Sequence, residues 1–520
     1  MLGMLKTRSA QVGLFDTAQV MGPLPKGSFY ALLAEHGDRI VKDQDFADCY
    51  SSRMGRPSIP PSQLAKVMLL QHRTGVSDEQ AMECVGWDLR WKVALGLPID
   101  HQGWHPTSLT KFRARLLLHK KDGVALENTL RLAQELGLLD GALEQIVDST
   151  PMLGAAATQD TVRLVRFGVK KVIDAVSAVD VDAGGLLAAG LEFNYAKPGE
   201  KPDCQWRLKS ERERMLTRVA EDAQRAIAAV QQADGLLEDE TVKVAWDLLV
   251  ELIGQDFDVD DDDVPRLHRG TRPGRIISTV DPEMQHGRKS SSQRFDGFKL
   301  SAAVTNTSDP LIMAVHVAPG GEADGPQAKY LIDAQVDERR PGQILGDTAY
   351  GNGPVRKELA DRDVVVLAPV PEGEILQGRV GKRDFIIDPA GGTVTCPAGH
   401  AATISTSKKG VRTARISRAF CGPCPLKEQC CPGRPSRQIA LGEHEELILA
   451  ARQALADPDT AKHLRHTRPR IERLLGLLAV RYGARKSRYI GTQKATLQAS
   501  WAAALVNLNP IGRQLALGTG

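Results

Sequence analysis

The sequence predicts an α/β fold, a mixed sheet flanked by helices, and three stretches carry that reading. Ile344 and Leu345 lead through Gly346 into Asp347, and Gly351 closes the turn, which is how an acid sits at the carboxyl end of a buried strand. Gly297 to Thr305 and Leu311 to Val317 are strand-like runs joined by the turn chemistry of Asn306 to Pro310, which predicts a hairpin. Val364 to Leu367 is apolar throughout, the pattern of a strand central in its sheet.

The remaining elements follow in order. Residues 1 to about 55 are weakly patterned. From Pro61, Leu64, Val67 and Met68 give helical spacing with Ser62 as a cap; Gly75 breaks the helix and Ser77 caps a second one, Asp78 to Val85. Trp87 to Leu95 and Ser108 to His119 are further helices. Short helices with a Gly-containing turn suit a helix-turn-helix. On that reading Lys111, Arg113 and Arg115, with Lys120 and Lys121 behind them, face DNA phosphates; an ordinary bundle with basic exposed positions is the alternative. Val124 to Leu136 is amphipathic and ended by Gly137. A short strand then delivers Asp148, within Ile146-Val147-Asp148-Ser149-Thr150-Pro151.

Val162 to Gly254, rich in Ala, Gln, Glu and Arg, reads as an inserted helical module. Asp256, Asp258 and Asp260 closing it have calcium-loop spacing, but Asp261 stands where that loop needs Gly and Leu267 where it needs Glu. A solvated acidic linker is the better reading. Arg275 to Val280 is strand-like, Lys329 to Asp337 is a short helix, and Pro354 to Asp361 is another. The expected division is a helical domain over 1–140, a sheet-bearing core over 141–158, 270–384 and 440–520, the helical insert over 159–269, and a Cys-rich insert over 385–439.

No apolar run approaches the ~20 residues a membrane span needs. Met1 to Pro25 lacks the apolar region of a signal peptide, so a cytoplasmic location without membrane association is expected. The net charge of +3 averages opposed segments: Gln255 to Val264 holds six aspartates, while Lys462 to Arg488 holds nine Lys or Arg against one Glu. The basic stretch suits a polyanionic partner; a solvated helix face is the bland alternative.

Five of the eight cysteines, Cys396, Cys421, Cys424, Cys430 and Cys431, lie in one short segment, which in a cytosolic chain points to metal rather than disulfide. Cys396, Cys421, Cys424 and Cys430 complete a tetrahedral set for a structural Zn²⁺, with His400 or Cys431 able to replace a member. A loop of reduced thiols is the alternative.

Thr467 is placed to cap a helix with Pro469 in its first turn. Ile471, Leu474, Leu475 and Leu478 form its apolar stripe, Glu472 sits half-buried at the edge, and Arg468 lies one turn before, in reach of the same carboxylate. Asp148, Asp347 and Glu472 together would supply hard oxygen ligands for two divalent cations, Mg²⁺ or Mn²⁺, and Arg468 would hold a phosphate oxygen.

With these features in this order, the chain resembles the DDE transposases of bacterial insertion sequences. The resemblance rests on the N-terminal helical region, Asp148-Ser149-Thr150, Asp347-Thr348-Ala349-Tyr350-Gly351, Arg468 with Glu472, Tyr489-Ile490-Gly491 and the helix Leu497 to Leu508; the Cys-rich insert resembles one subgroup. It implies a ribonuclease H-like core with Asp148, Asp347 and Glu472 as the metal-binding triad. It also implies cleavage at element ends with joining of the freed 3′-hydroxyls to target DNA, by a homodimer or larger assembly on double-stranded DNA. Arg468 matches the family's Arg. Where the family has a Tyr three residues earlier and a Lys seven after the Glu, this chain has Arg465 and Ala479. Arg481 or Arg485 stands in for that Lys, and Arg488 joins them as a DNA contact. A non-catalytic DNA-binding protein, a regulator or decayed transposase, is the competing reading.

Overall fold

The central sheet grows outward from one long strand. In chain order its strands and those of the helical module are β1 (Glu144–Leu153), β2 (Phe257–Val259), β3 (Pro265–Leu267), β4 (Gln285–Arg288), β5 (Arg294–Thr305), β6 (Ile312–Pro319), β7 (Gln343–Leu345) and β8 (Val365–Leu367). The structure is a computed structural model describing residues 17–21, 24–25, 27–51, 57–139, 144–259, 264–290, 292–371 and 378–517. β1 pairs antiparallel with β5 along its length and parallel with β7, Ile146 opposite Leu345; β7 pairs parallel with β8. β4 and β6 both pair with β5 on its far side, so the order is β4 and β6, then β5, β1, β7, β8. The predicted mixed sheet and the β5–β6 hairpin are both present.

Two strand expectations need correction. Arg275 to Val280 is not a strand: only Ile276 bridges Gln285, while the Gln255 side chain accepts from Ile276 N–H (2.8 Å) and donates to its carbonyl (3.1 Å), taking the bonds a neighbouring strand would make. β8 is an edge strand, not a central one. Val364, Val366 and Leu367 are buried, but Val365 is 62% exposed, so the apolar run here belongs to an edge strand with one open position.

A helix the sequence reading passed over, Phe29–Ile40, is capped by Ser28 and buries Phe29, Leu33 and Ile40. Helix Pro61–Thr74 starts on Pro60 and Pro61, so Ser62 is buried rather than capping. Ser77 does cap Asp78–Trp87, in a reciprocal box with Gln80. Leu89–Leu95, Thr107–Leu118 and Val124–Glu135 complete the N-terminal helices, and Gly137 at φ +71° follows the last. The tail helix Thr492–Leu517, with Trp501 through Val506 all buried, packs against Val124–Glu135, Pro61–Thr74 and β6. Asn507 pins it to the sheet, accepting from Ile312 N–H (2.8 Å) and donating to Ile312 O (2.9 Å). The N-terminal helices, tail helix and sheet therefore share one continuous apolar core.

A polar seam crosses that junction. Arg113 bonds both oxygens of Asp78 (Nη1 at 3.1 Å), Gln71 Nε2 adds a bond at 2.7 Å, Arg113 lies over the Tyr489 ring at 5.2 Å, and Arg488 donates to Val76 O. Burial alone would raise the Asp78 carboxyl, but the bonds from Arg113 and Gln71 and the charge of Arg488 hold it below its usual range. A depressed carboxyl contributes stability above its unfolded pKa and loses it as pH falls through the folded one. We predict that Asp78→Asn costs about 1–3 kcal/mol at neutral pH. In urea unfolding the difference from wild type should shrink below pH about 4.

Two satellite units hang on this body. Helices Thr161–Val179, Val181–Ala189, Lys209–Gln232 and Glu240–Asp256 bury their own apolar cluster, with the β2–β3 hairpin beside them. Asp256 is buried on Arg275 (2.7 Å, twice) and Asp258 meets His268 and Arg272; aspartates 260–263 lie outside the described residues. The Cys-rich stretch forms a five-stranded antiparallel meander, β9 (Ile386–Asp388), β10 (Thr393–Thr395), β11 (Ala401–Thr406), β12 (Arg412–Arg415) and β13 (Gln438–Leu441), with its own small core.

Candidate active site

The parallel pairing of β1 and β7 sets Asp148 and Asp347 side by side, each two residues beyond the Ile146–Leu345 pair. Both are half-buried. Asp148 accepts from Ser149 N–H (2.8 Å); Asp347 accepts from Ala349 N–H (2.8 Å), which starts the single turn Thr348–Tyr350. Burial pushes the Asp148 carboxyl above its usual range against the Ser149 bond, with Asp347 raising it further, Arg468 lowering it and Asp324 raising it. Two carboxylates sharing one low-dielectric corner are a site that favours a cation.

The turn carrying Asp347 is held by close backbone approach. A methyl group on Gly351 would fall 1.8 Å from Pro369 O, and one on Gly325 would fall 2.4 Å from Ala349 O. Arg356, on helix Gly353–Ala360, is buried with no carboxylate partner among the described residues; it donates to the carbonyls of Gly351 (2.9 Å), Val366 (2.5 Å) and Ala368 (2.7 Å), tying the turn to the end of β8. Burial pushes its guanidinium down to about 10.

Asp324 is the acid that sequence reasoning missed. Its Oδ1 accepts from Ser149 Oγ (2.9 Å) and pairs with Lys299 Nζ (3.0 Å), so the loop after β6 brings it against the strand that carries Asp148. Its signal was an acid before Gly325, after a strand, like Asp347 with its flanking glycines. Tyr350, fully buried, carries a hydroxyl without a hydrogen-bond partner among the described residues; its ionisation is opposed by burial and by Asp324, Asp148 and Asp347.

The third predicted acid is placed differently from the sequence expectation. Thr467 ends helix Pro458–Thr467 instead of capping the next, because Asp457 caps that helix and Arg468 continues in helical conformation; Pro469 then precedes Arg470–Gly476. Ile471, Leu474, Leu475 and Leu478 are buried as expected, and the short helix packs against β1, but Glu472 is exposed rather than half-buried. Arg468 makes no ion pair with Glu472 among the described residues; it lines a hollow with Gly346 and bears instead on Asp148. Among the described residues no three of His, Cys, Asp and Glu are arranged to hold a metal ion.

Of the predicted DNA contacts, Lys111, Arg481 and Arg485 are exposed, and Arg485 O bonds Leu153 N–H (2.9 Å) at the end of β1. Arg115 lies over the Tyr50 ring (4.6 Å), while Arg113 and Arg488 are engaged in the Asp78 seam. Cys396, Cys421, Cys424, Cys430 and Cys431 line one small cavity with His400, whose ring stacks on Phe420 (4.2 Å between centroids). All are free thiols, and burial pushes Cys430 up to about 11.

Two family models match the chain: a transposase domain, DUF772, over residues 19–115, and a transposase DDE domain over residues 395–511. Both matches are to transposase domains, and they support a DDE transposase of an insertion sequence. The second match spans Arg468 and Glu472 and starts beyond Asp148 and Asp347; the first covers the N-terminal helices through Arg115. No curated protein matches the chain. A transposase acts on DNA, and DDE domains generally use divalent metals. No helix among the described residues is long and apolar enough to cross a membrane.

Proposed function

We propose that this DDE transposase cuts DNA at the ends of an insertion sequence and joins the freed 3′-hydroxyls to target DNA, using two divalent cations, Mg²⁺ or Mn²⁺, at Asp148, Asp347 and Glu472. The observation that carries the reading is the juxtaposition of Asp148 and Asp347 at the ends of adjacent parallel strands with Arg468 bearing on Asp148. The sheet order, with its long antiparallel strand pair beside two parallel strands, supports a ribonuclease H-like core.

The donor set fits hard cations: both aspartates are acceptor-only when ionised and neither is neutralised by an ion pair to a basic side chain among the described residues. Bound there, the cations supply Lewis acidity that activates the attacking water or 3′-hydroxyl and offsets charge on phosphorus. The chain's own groups do the positioning. Arg468 holds a non-bridging phosphate oxygen, Asp324 and Lys299 fix Ser149 beside Asp148, and Arg356 fixes the Asp347 turn. The helices over 61–118 read the element ends as a helix-turn-helix, with Lys111 and Arg115 toward phosphate and Arg481 and Arg485 as further contacts, and the active form is a dimer or larger assembly. The exposed position of Glu472 favours the competing reading, a non-catalytic DNA-binding protein. Incubating the protein with Mg²⁺ and DNA bearing the element's own ends separates them: strand cleavage supports the transposase, and binding without cleavage supports the alternative.

The Cys-rich unit is proposed to hold one structural Zn²⁺ through Cys396, Cys421, Cys424 and Cys430, with Cys431 or His400 as a substitute ligand; that all six line one cavity supports this, and since no three of them are grouped as metal ligands among the described residues, binding would draw them together. Purified protein is expected to carry about one zinc per chain, and Cys424→Ser to lose most of it, by elemental analysis. Zinc-free wild-type protein would contradict the assignment.

A further inference from the structure

Arg468 and Glu472 stand at the spacing that puts two side chains on one face of an α-helix. Arg468 bears on Asp148, whereas Glu472 is exposed. The turn between them accounts for the difference. Ile471 N–H donates to Arg468 O (3.3 Å) and Glu472 N–H to Pro469 O (3.2 Å), the short bonds of a 3₁₀ turn, and Pro469 at ψ −13° has left the α range in the same direction. Each residue so wound turns about 20° further than in an α-helix and climbs about 0.5 Å more. Over this turn Glu472 is carried roughly 40–80° beyond the Arg468 face. Helix Arg470–Gly476 then runs into the opposite irregularity. Leu477–Arg481 is a π-helix, closed by Tyr482 N–H on Leu477 O (3.1 Å). Such a turn is underwound and holds about one residue more than an α turn.

Overwinding before the short helix and underwinding after it have opposite signs. Relaxing both to α-helix therefore rotates the piece between them while its flanks stay still, and the flanks are anchored. Upstream, Leu464 and Thr467 are buried and His463 pairs with Glu144 (2.9 Å). Downstream, Tyr482 OH donates to Asn509 (3.1 Å) and Ser487 N–H to Leu153 O (2.7 Å). We propose that Arg470–Gly476 turns as a screw between these flanks and swings Glu472 onto the Arg468 face beside Asp148, with Pro469 as the positioning residue and the π-helix as the slack. Pro469 holds the tight turn, because it offers no N–H to Arg465 O and its ring obstructs continuous α winding. The same rotation carries buried Leu474 toward solvent, which opposes it in the metal-free chain. The inference rests on the reading of Asp148, Asp347 and Glu472 as one cation site.

The test follows Mn²⁺ binding to the full chain without DNA, from the loss of the free ion's paramagnetic resonance signal, with Asp347→Asn marking the ions held at the site. Pro469→Ala lets α winding run through the turn and is expected to bind Mn²⁺ about five- to tenfold tighter. Glu472→Gln should remove that gain, while changing binding by the otherwise wild-type chain less than about twofold. Deleting Val480, which is 78% exposed, closes the π-helix to an α turn with both flanks in place and no slack left. In that background Pro469→Ala should gain nothing, unfolding should stay cooperative, and nicking of end DNA in Mg²⁺ should fall to the Glu472→Gln level. A merely structural role would weaken Mn²⁺ binding in both variants. Pro469→Ala without tighter binding, a gain that survives Glu472→Gln, or wild-type nicking after the deletion each overturns the rotation; if the deletion unfolds the chain, the Pro469→Ala arm decides alone. Should Asp347→Asn bind Mn²⁺ as wild type does, the cation site fails and the rotation with it. Should Asp347→Asn lose Mn²⁺ and Pro469→Ala gain none, only the rotation fails.

Discussion

Changing Asp347 to Asn is expected to lower strand cleavage on the order of 1,000-fold or more while leaving duplex affinity and its salt slope unchanged. The substitution keeps the bond that starts the Thr348–Tyr350 turn, since Asn Oδ1 accepts from Ala349 N–H as Asp347 does at 2.8 Å. What it removes is the charge beside Asp148, so the turn stays and the cation affinity goes. Asp148→Asn should behave alike, for the same reason. Because Asp347 opposes ionisation of Asp148, removing the Asp347 charge should leave Asp148 easier to ionise, and the folded protein no less stable. A variant that loses activity together with its melting cooperativity would mean the charge was structural.

The second large effect is on stability. Arg356→Met is expected to cost about 3–6 kcal/mol, from three carbonyls at about 1–2 kcal/mol each left without a donor inside the protein. Those of Gly351, Val366 and Ala368 are the three, and they join the Asp347 turn to the strand end it must lie against. Arg356→Lys keeps the positive charge but cannot span three acceptors with one ammonium, so it should recover only part of the loss. Thermal unfolding measures the stability, and cleavage by the folded fraction should fall with it, since the aspartate is then poorly held. Full activity in a folded Arg356→Met variant would show that the turn needs no such clamp.

Why the sequence disclosed some of this and not the rest follows from what each residue leaves in the pattern. Asp148 and Asp347 were legible because each ends or interrupts an apolar strand run, and strands running into an acid and a turn have few structural reasons to do so. Their adjacency came from pairing, which apolar runs do not specify; β7 happens to lie parallel to β1. Arg356 was invisible: amid Pro354, Lys357 and Glu358 it reads as one more exposed helix charge, and only the three carbonyls it meets reveal that it points inward. Asp324 hid in a Gly-rich loop. Val364 to Leu367 misled because a covered edge and a central strand have the same apolar composition. Thr467 misled in the same way: a Thr two residues before a Pro looks like a helix start, yet the cap at Asp457 upstream had already begun the helix that Thr467 ends.

Glu472 remains the residue on which the account turns, since its short helix packs on β1 while its carboxylate is exposed. The decisive measurement is the rate at which Glu472→Gln protein nicks DNA bearing the element's ends in Mg²⁺, alongside wild type and Asp347→Asn. The account predicts that the glutamine variant falls to the level of the asparagine variant while still binding the DNA. Nicking at the wild-type rate would remove Glu472 from the centre and leave the chemistry to the aspartates.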